Sequence, residues 1–180
     1  MKQVLNLLII ALIMVSCKPP EARLPISVSS GSFIQESAER NKKLNEKERS
    51  YIKQLIDKDT EHNYIASESG FWYYYHTRIE ADSIQPSFGD LIQFKYNVKD
   101  LDGREIYSEN EIGVQQYTMD QEELFTGLRE GLKLMKPSET VIFIFPSQKA
   151  YGYYGDTNKI GTNIPLVCKV TLNSITQKQK

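Results

Sequence analysis

LFTGLREGLKLMKPSETVIFIFPSQKAYGYYGDTNKI, residues 124–160, is the stretch on which the fold turns. Asp120 and Glu123 stand where a helix cap is needed, and Leu124 to Met135 then reads as a short amphipathic helix. Val141 to Phe145 follows as an all-apolar run of strand length. Pro146 ends that run, and the loop Ala150-Tyr151-Gly152 leads on to Ile160. Aromatic and apolar residues in a loop that follows a helix and a strand are placed to line a pocket.

Upstream, Gly89-Asp90 opens a strand in which Ile92, Phe94, Tyr96 and Val98 alternate with Gln93, Lys95, Asn97 and Lys99, so one face is core and the other wet. Asp102-Gly103 tolerates the positive φ of a tight hairpin turn, and Glu105-Ile106-Tyr107-Ser108 returns. Downstream, Leu166, Cys168, Val170 and Leu172 form a closing strand with Cys168 as a small inward-facing hydrophobe. Phe71-Trp72-Tyr73-Tyr74-Tyr75-His76 adds an aromatic strand after the Ser69-Gly70 break. The fold class expected is α+β, an antiparallel sheet wrapped around a short helix, with an N-terminal helical extension.

The N-terminus carries a different signal. Basic Lys2 precedes nine apolar residues, Leu7 to Val15, too few to span a membrane, which takes roughly 20. Met14-Val15-Ser16-Cys17 resembles a bacterial lipobox, with Cys17 as the acylated first residue of the mature chain and residues 1–16 as its leader. Residues 17–31 read as an extended tether, rich in Pro and Ser. Residues 32–62 read as a helical extension, opened by the capping-box order Ser32 and Gln35. Its apolar stripe of Ile34, Ala38, Leu44, Tyr51, Ile52, Leu55 and Ile56 is thin, so its second half needs a packing partner, while Glu36 to Arg49 reads as a solvated face. Residues 63–180 make the folded domain.

Several chemistries are not written here. His62 and His76 stand apart without metal-ligand spacing, so neither a metal nor a cofactor is expected. With Cys17 lipidated, Cys168 has no disulfide partner. A formal net charge of −1 gives no footprint for nucleic acid.

Gly89, Asp90, Ile92, Phe94, Tyr96, Asp102, Gly103, Ile106 and Ser108, followed by Leu124 to Met135 and Ala150-Tyr151-Gly152, resemble the ordered motifs of FKBP-type peptidyl-prolyl cis-trans isomerases. The resemblance spans residues 88–175 and implies a cleft that binds X-Pro segments and speeds rotation of the prolyl amide. By matched position it makes Tyr96, Phe125 and Tyr151 the catalytic residues. Ile106, Tyr107, Leu124, Leu128, Ile160 and Cys168 would bind substrate, and the Phe125 N–H and Tyr151 hydroxyl would hold substrate carbonyls. Apolar packing alone would also explain Leu124, Phe125 and Leu128.

Tyr107 stands where the family carries Asp, Leu128 where it carries a pocket-floor Trp, Gln115 and Cys168 at aromatic wall positions, and Lys159 at an apolar loop position. Loss of the Trp implies a deeper pocket, and loss of the Asp removes a group that orients Tyr96 and Tyr151. Within the family, the Cys17 lipobox, the Pro-containing tether, Phe71 to Tyr75, Lys99 to Gly103 and Pro146-Ser147 are most similar to gliding-motility-associated FKBP-type lipoproteins. That resemblance implies a lipid-anchored protein of the cell envelope, facing the periplasm. Its expected partners are proline-containing segments of envelope proteins and the membrane that holds its lipid. Oligomeric state stays open.

Overall fold

The computed structural model describes residues 30–80 and 83–178. The leader, Cys17 and most of the expected tether lie outside the described residues. Residues 38–180 form one compact unit, and the helical residues before Ala38 belong to a separate one. Helix α1 spans Ser30–Lys58. It starts two residues before Ser32, so the Ser32/Gln35 box does not set its beginning. It stops at Lys58, short of the expected residue 62, where Asp59 turns the chain by accepting hydrogen bonds from the Glu61 N–H, His62 and the Tyr64 hydroxyl.

Eight strands follow: β1 (Ile65–Ala66), β2 (Trp72–Thr77), β3 (Leu91–Tyr96), β4 (Val98–Lys99), β5 (Glu105–Tyr107), β6 (Gln115–Thr118), β7 (Thr140–Phe145) and β8 (Leu166–Thr176). They build one antiparallel sheet in the order β1-β2-β7-β8-β3-β6, with the β4–β5 hairpin attached through β8. Two short helices interrupt them, α2 (Glu109–Ile112) and α3 (Thr126–Leu132).

The expected alternation holds along β3 and β4, where Ile92, Phe94, Tyr96 and Val98 are buried and Gln93 is exposed. The hairpin turn has Gly103 at φ 82°, as its Asp-Gly pair requires. Its organiser is Asp100, whose carboxyl accepts from the Asp102 and Arg104 N–H groups.

The all-apolar run Val141 to Phe145 of β7 follows from being covered on both faces. Inward, Val141, Phe143 and Phe145 join the core with Leu128 and Leu132 of α3. Helix and strand approach closely because α3 turns Gly127 and Gly131 towards the sheet. A Cβ at Gly127 would lie 2.5 Å from the Phe145 ring, and one at Gly131 2.9 Å from Phe143. Outward, Ile142 and Ile144 face Leu55 and Ile56 of α1 across a small cavity.

Ile52 is fully buried under the same half of α1, a burial that contributes about 2 kcal/mol. Arg49 lies 5.1 Å over the Trp72 ring. Glu48 departs from the solvated-face expectation: it is buried, and its carboxyl accepts from the Ser147 N–H at 2.9 Å and the Ser147 hydroxyl at 3.1 Å. That N–H opens the 3-10 turn Ser147–Lys149, where the turn itself supplies no partner.

Candidate functional site

Helix α3 begins at Thr126, and its cap position is Phe125 in an extended conformation, φ −61° and ψ 142°, with no side-chain cap bond. Asp120 and Glu123 therefore lie before the helix instead of capping it. Asp120 sits at φ 59° and pairs with Lys133 at 3.0 Å. The Phe125 N–H is left without a hydrogen-bond partner among the described residues. Such a free donor at a helix start is what a carbonyl oxygen needs.

Beside it stands Tyr151, with ring centroids 5.2 Å apart, and the Phe125 ring packs edge-on against Phe145 at 5.4 Å. Leu124, Phe125 and Tyr151 line one groove of about 500 Å³ together with Glu122, Glu123 and Arg129. Gly152 at φ 58° turns the chain just past Tyr151 and donates its N–H to the Ser147 carbonyl.

Tyr96 lies near enough to Tyr151 to feel its hydroxyl, but does not line that groove. Burial pushes the Tyr96 hydroxyl well above its ordinary range, and the nearby Tyr151, Cys168 and Tyr107 push it further in that direction. Burial, then the Asp156 carboxylate, push Tyr151 up to about 12. Both hydroxyls stay protonated at neutral pH and carry no hydrogen bond within the described residues, so each can donate.

The remaining expected residues divide by access. Ile106, Tyr107, Leu124, Phe125 and Tyr151 are half-buried and packed on the core, with part of each open to solvent. Ile160 is 3% exposed and Tyr96 9%. Leu128 and Cys168 are at 0%, which corrects their placement as substrate contacts. A leucine at the position of a longer Trp ends among the core side chains, so no deep floor opens there. Burial also raises the Cys168 thiol far above its ordinary range and keeps it inert.

The pattern of residues missed one member. Asp156 accepts a short hydrogen bond from the Tyr107 hydroxyl, and its other oxygen accepts from the Asn158 and Ile160 N–H groups at 2.9 and 2.8 Å. Partial burial works against its charge, yet these donors outweigh it and hold the carboxyl below its usual range. Lys159 adds a cation 4.7 Å over the Tyr107 ring and pairs with Glu111. A carboxylate is thus present beside Tyr107, supplied by the facing loop. The Asp156-Thr157-Asn158 run, an Asx-turn composition, was its available sequence signal. Among the described residues no cluster of His, Cys, Asp or Glu is arranged to hold a metal ion.

The family model for FKBP-type peptidyl-prolyl cis-trans isomerases matches residues 82–173. Among solved structures, the chain is similar to a peptidyl-prolyl cis-trans isomerase from Pseudomonas syringae pv. tomato. Identity is 19% over 76% of this chain and 96% of that one, with a TM-score of 0.60. It is also similar to FkpA from Escherichia coli, at 20% identity over 97% of this chain and 81% of that one, again with a TM-score of 0.60. No curated protein matches the chain.

Proposed function

The chain belongs to the FKBP-type peptidyl-prolyl cis-trans isomerase family, and from that premise we propose that it catalyses rotation about X-Pro bonds of cell-envelope proteins as they fold. The observation that carries this reading is the pairing of Phe125 and Tyr151, 5.2 Å apart on one groove, each with an unused donor.

The reaction breaks no covalent bond, so it asks for neither nucleophile nor metal. Its barrier, about 18–20 kcal/mol, is the resonance lost as the amide twists. In the twisted form the nitrogen is more pyramidal and the carbonyl less polar, so an apolar wall favours it over the planar, solvated amide. Phe125 and Leu124 supply that wall. The Phe125 N–H and the Tyr151 hydroxyl each hold a carbonyl of the substrate backbone, fixing the segment while the prolyl bond turns.

The Cys17 lipobox supports a lipid anchor in the envelope, with the domain facing the periplasm. Similarity to gliding-motility-associated FKBP-type lipoproteins supports clients in that machinery. A second reading, a Pro-segment holder without turnover, draws on one observation: Leu128, at the position of the family's pocket-floor Trp, is sealed in the core and does not line the groove.

The test is isomerisation of a Leu-Pro tetrapeptide by the full chain in mild detergent. Tyr151→Phe removes one donor and lowers kcat/KM about tenfold, the equivalent of about 1.4 kcal/mol. Phe125→Ala lowers it further. Because the Tyr151 hydroxyl is raised, the parent's rate stays flat up to about pH 10. Tight binding without acceleration by folded parent selects the holding role; neither binding nor acceleration refutes both.

A further inference from the structure

A second groove among the described residues does not touch Tyr151. It holds about 640 Å³ and is lined by Tyr51 of α1, Glu105 and Ile106 of β5, and Lys159 and Ile164 of the loop beyond. We propose that this groove is a second subsite for the chain flanking the proline, taken as an extended segment along the open edge of β5 and preferred when it carries a basic side chain. The inference rests on the isomerase reading of the neighbouring cleft.

The shape of the lining gives the first argument. Arg104, Glu105 and Ile106 all reach the groove, and the β4–β5 register slips at Ile106, which leaves that residue without a partner on β4. A cavity that touches all three runs along the strand's edge. Within the described residues β5 pairs only with β4, so that edge is unpaired. Arg104 directs its N–H to the Asp100 carboxyl at 2.9 Å and its C=O to the Asp100 N–H at 3.0 Å, both towards the β4 side. Alternation then turns the N–H and C=O of Glu105 outward, into the groove. An extended peptide bonds to such an edge by adding a strand.

Continuity gives the second. Ile106 packs on the cluster that holds Tyr96 and Ile160, and Lys159 adjoins Ile160 and covers the Tyr107 ring. Ile106 thus links the core cluster that carries Tyr96 to the lining of this groove.

Charge decides the occupant. Arg104 is tied to Asp100 at 2.9 Å and Lys159 to Glu111, which spends both cations of the lining. Glu105 and Asp102, also in the lining, are exposed and form no ion pair within the described residues. Two carboxylates outside any ion pair favour Lys or Arg. Tyr51, 45% exposed, offers an aromatic face to the aliphatic stem of such a residue. Its position is fixed beforehand, because Glu48, one turn earlier on α1, is bonded to Ser147.

Fluorescence anisotropy with the full chain in mild detergent tests this, using Ala-Leu-Pro-Phe alone or extended on either side by Lys-Val-Lys or Glu-Val-Glu. The Lys extension on one side tightens binding about tenfold over the core peptide, and the Glu extension does not. Glu105→Lys reverses that preference and Tyr51→Ser abolishes most of the gain, both leaving the core peptide's affinity unchanged. Equal affinity for the two extensions, or a preference untouched by Glu105→Lys, overturns the proposal. So does a chain that sediments as a dimer when parent and as a monomer with Tyr51→Ser, since a second copy would then occupy the groove. Absence of isomerisation with the charge preference intact removes the catalytic reading and leaves the subsite standing.

Discussion

Replacing Glu48 with Ala is expected to destabilise the folded unit far more than a charged residue on a solvated helix face could. Glu48 is 9% exposed and Ser147 1%, and the pair joins residues far apart in the chain through two hydrogen bonds. Glu48→Ala strands both Ser147 donors. A buried donor without a partner costs about 1–3 kcal/mol. The hydroxyl can rotate towards another acceptor and the backbone N–H cannot, so the expected loss is about 2.5 kcal/mol. For a unit of this size that lowers Tm by about 5–10 °C. Glu48→Gln keeps an acceptor oxygen in place and costs about 1 kcal/mol or less. Thermal unfolding followed by far-UV circular dichroism reads both variants. A Tm for Glu48→Ala within about 1 °C of the parent would refute the reasoning, since it would mean that water serves Ser147 as well as Glu48 does. Equal losses for Gln and Ala would refute it too, by showing that the acceptor atom is not what matters.

A double-mutant cycle of Tyr107→Phe and Asp156→Asn measures the contact between β5 and the facing loop. The pair is partly open to solvent, so a coupling of about 1 kcal/mol is expected by denaturant titration, and strict additivity would deny the contact any energetic role. Asp156 is held below its ordinary value of 3.8, so its contribution is complete above that pH and fades as pH falls through the lowered value. An acid transition that Asp156→Asn leaves unshifted would contradict this. At the N-terminus, Cys17→Ser is expected to move the chain from the membrane to the soluble fraction of its cells; retention in the membrane would reject the lipid anchor.

Much of the fold was legible because burial on one face writes a period of two. Ile92, Phe94, Tyr96 and Val98 announced their strand, and Asp102-Gly103 its turn. The unbroken apolar run of β7 was legible as a strand too, but its cause was not, since the helix that covers its outer face lies far upstream in sequence. Capping residues misled. Ser32 and Asp120 have the right chemistry for helix starts, yet α1 begins earlier and α3 later, with Phe125 in its cap position.

At the cleft, the ordered motifs were enough to single out Phe125 and Tyr151, which the fold places ring against ring. They could not separate wall from core. Leu128 and Cys168 carry the same apolar signal as Leu124, and only the packed structure shows that the first two are sealed and the third is not. Polar partners were the other blind spot. Glu48 lies four residues from both Leu44 and Ile52, on the buried stripe, yet among the surrounding charges it reads as solvated. Asp156 reads as a turn residue and turns out to bond Tyr107. The sequence by itself determined which segments become strands and helices and which face of each is apolar, since those follow from local periodicity. Which polar side chains meet across long separations, and which apolar ones remain open to a substrate, was decided only by tertiary structure, because a hydrogen bond between distant residues and the last few ångströms of exposure leave no periodic trace in the chain.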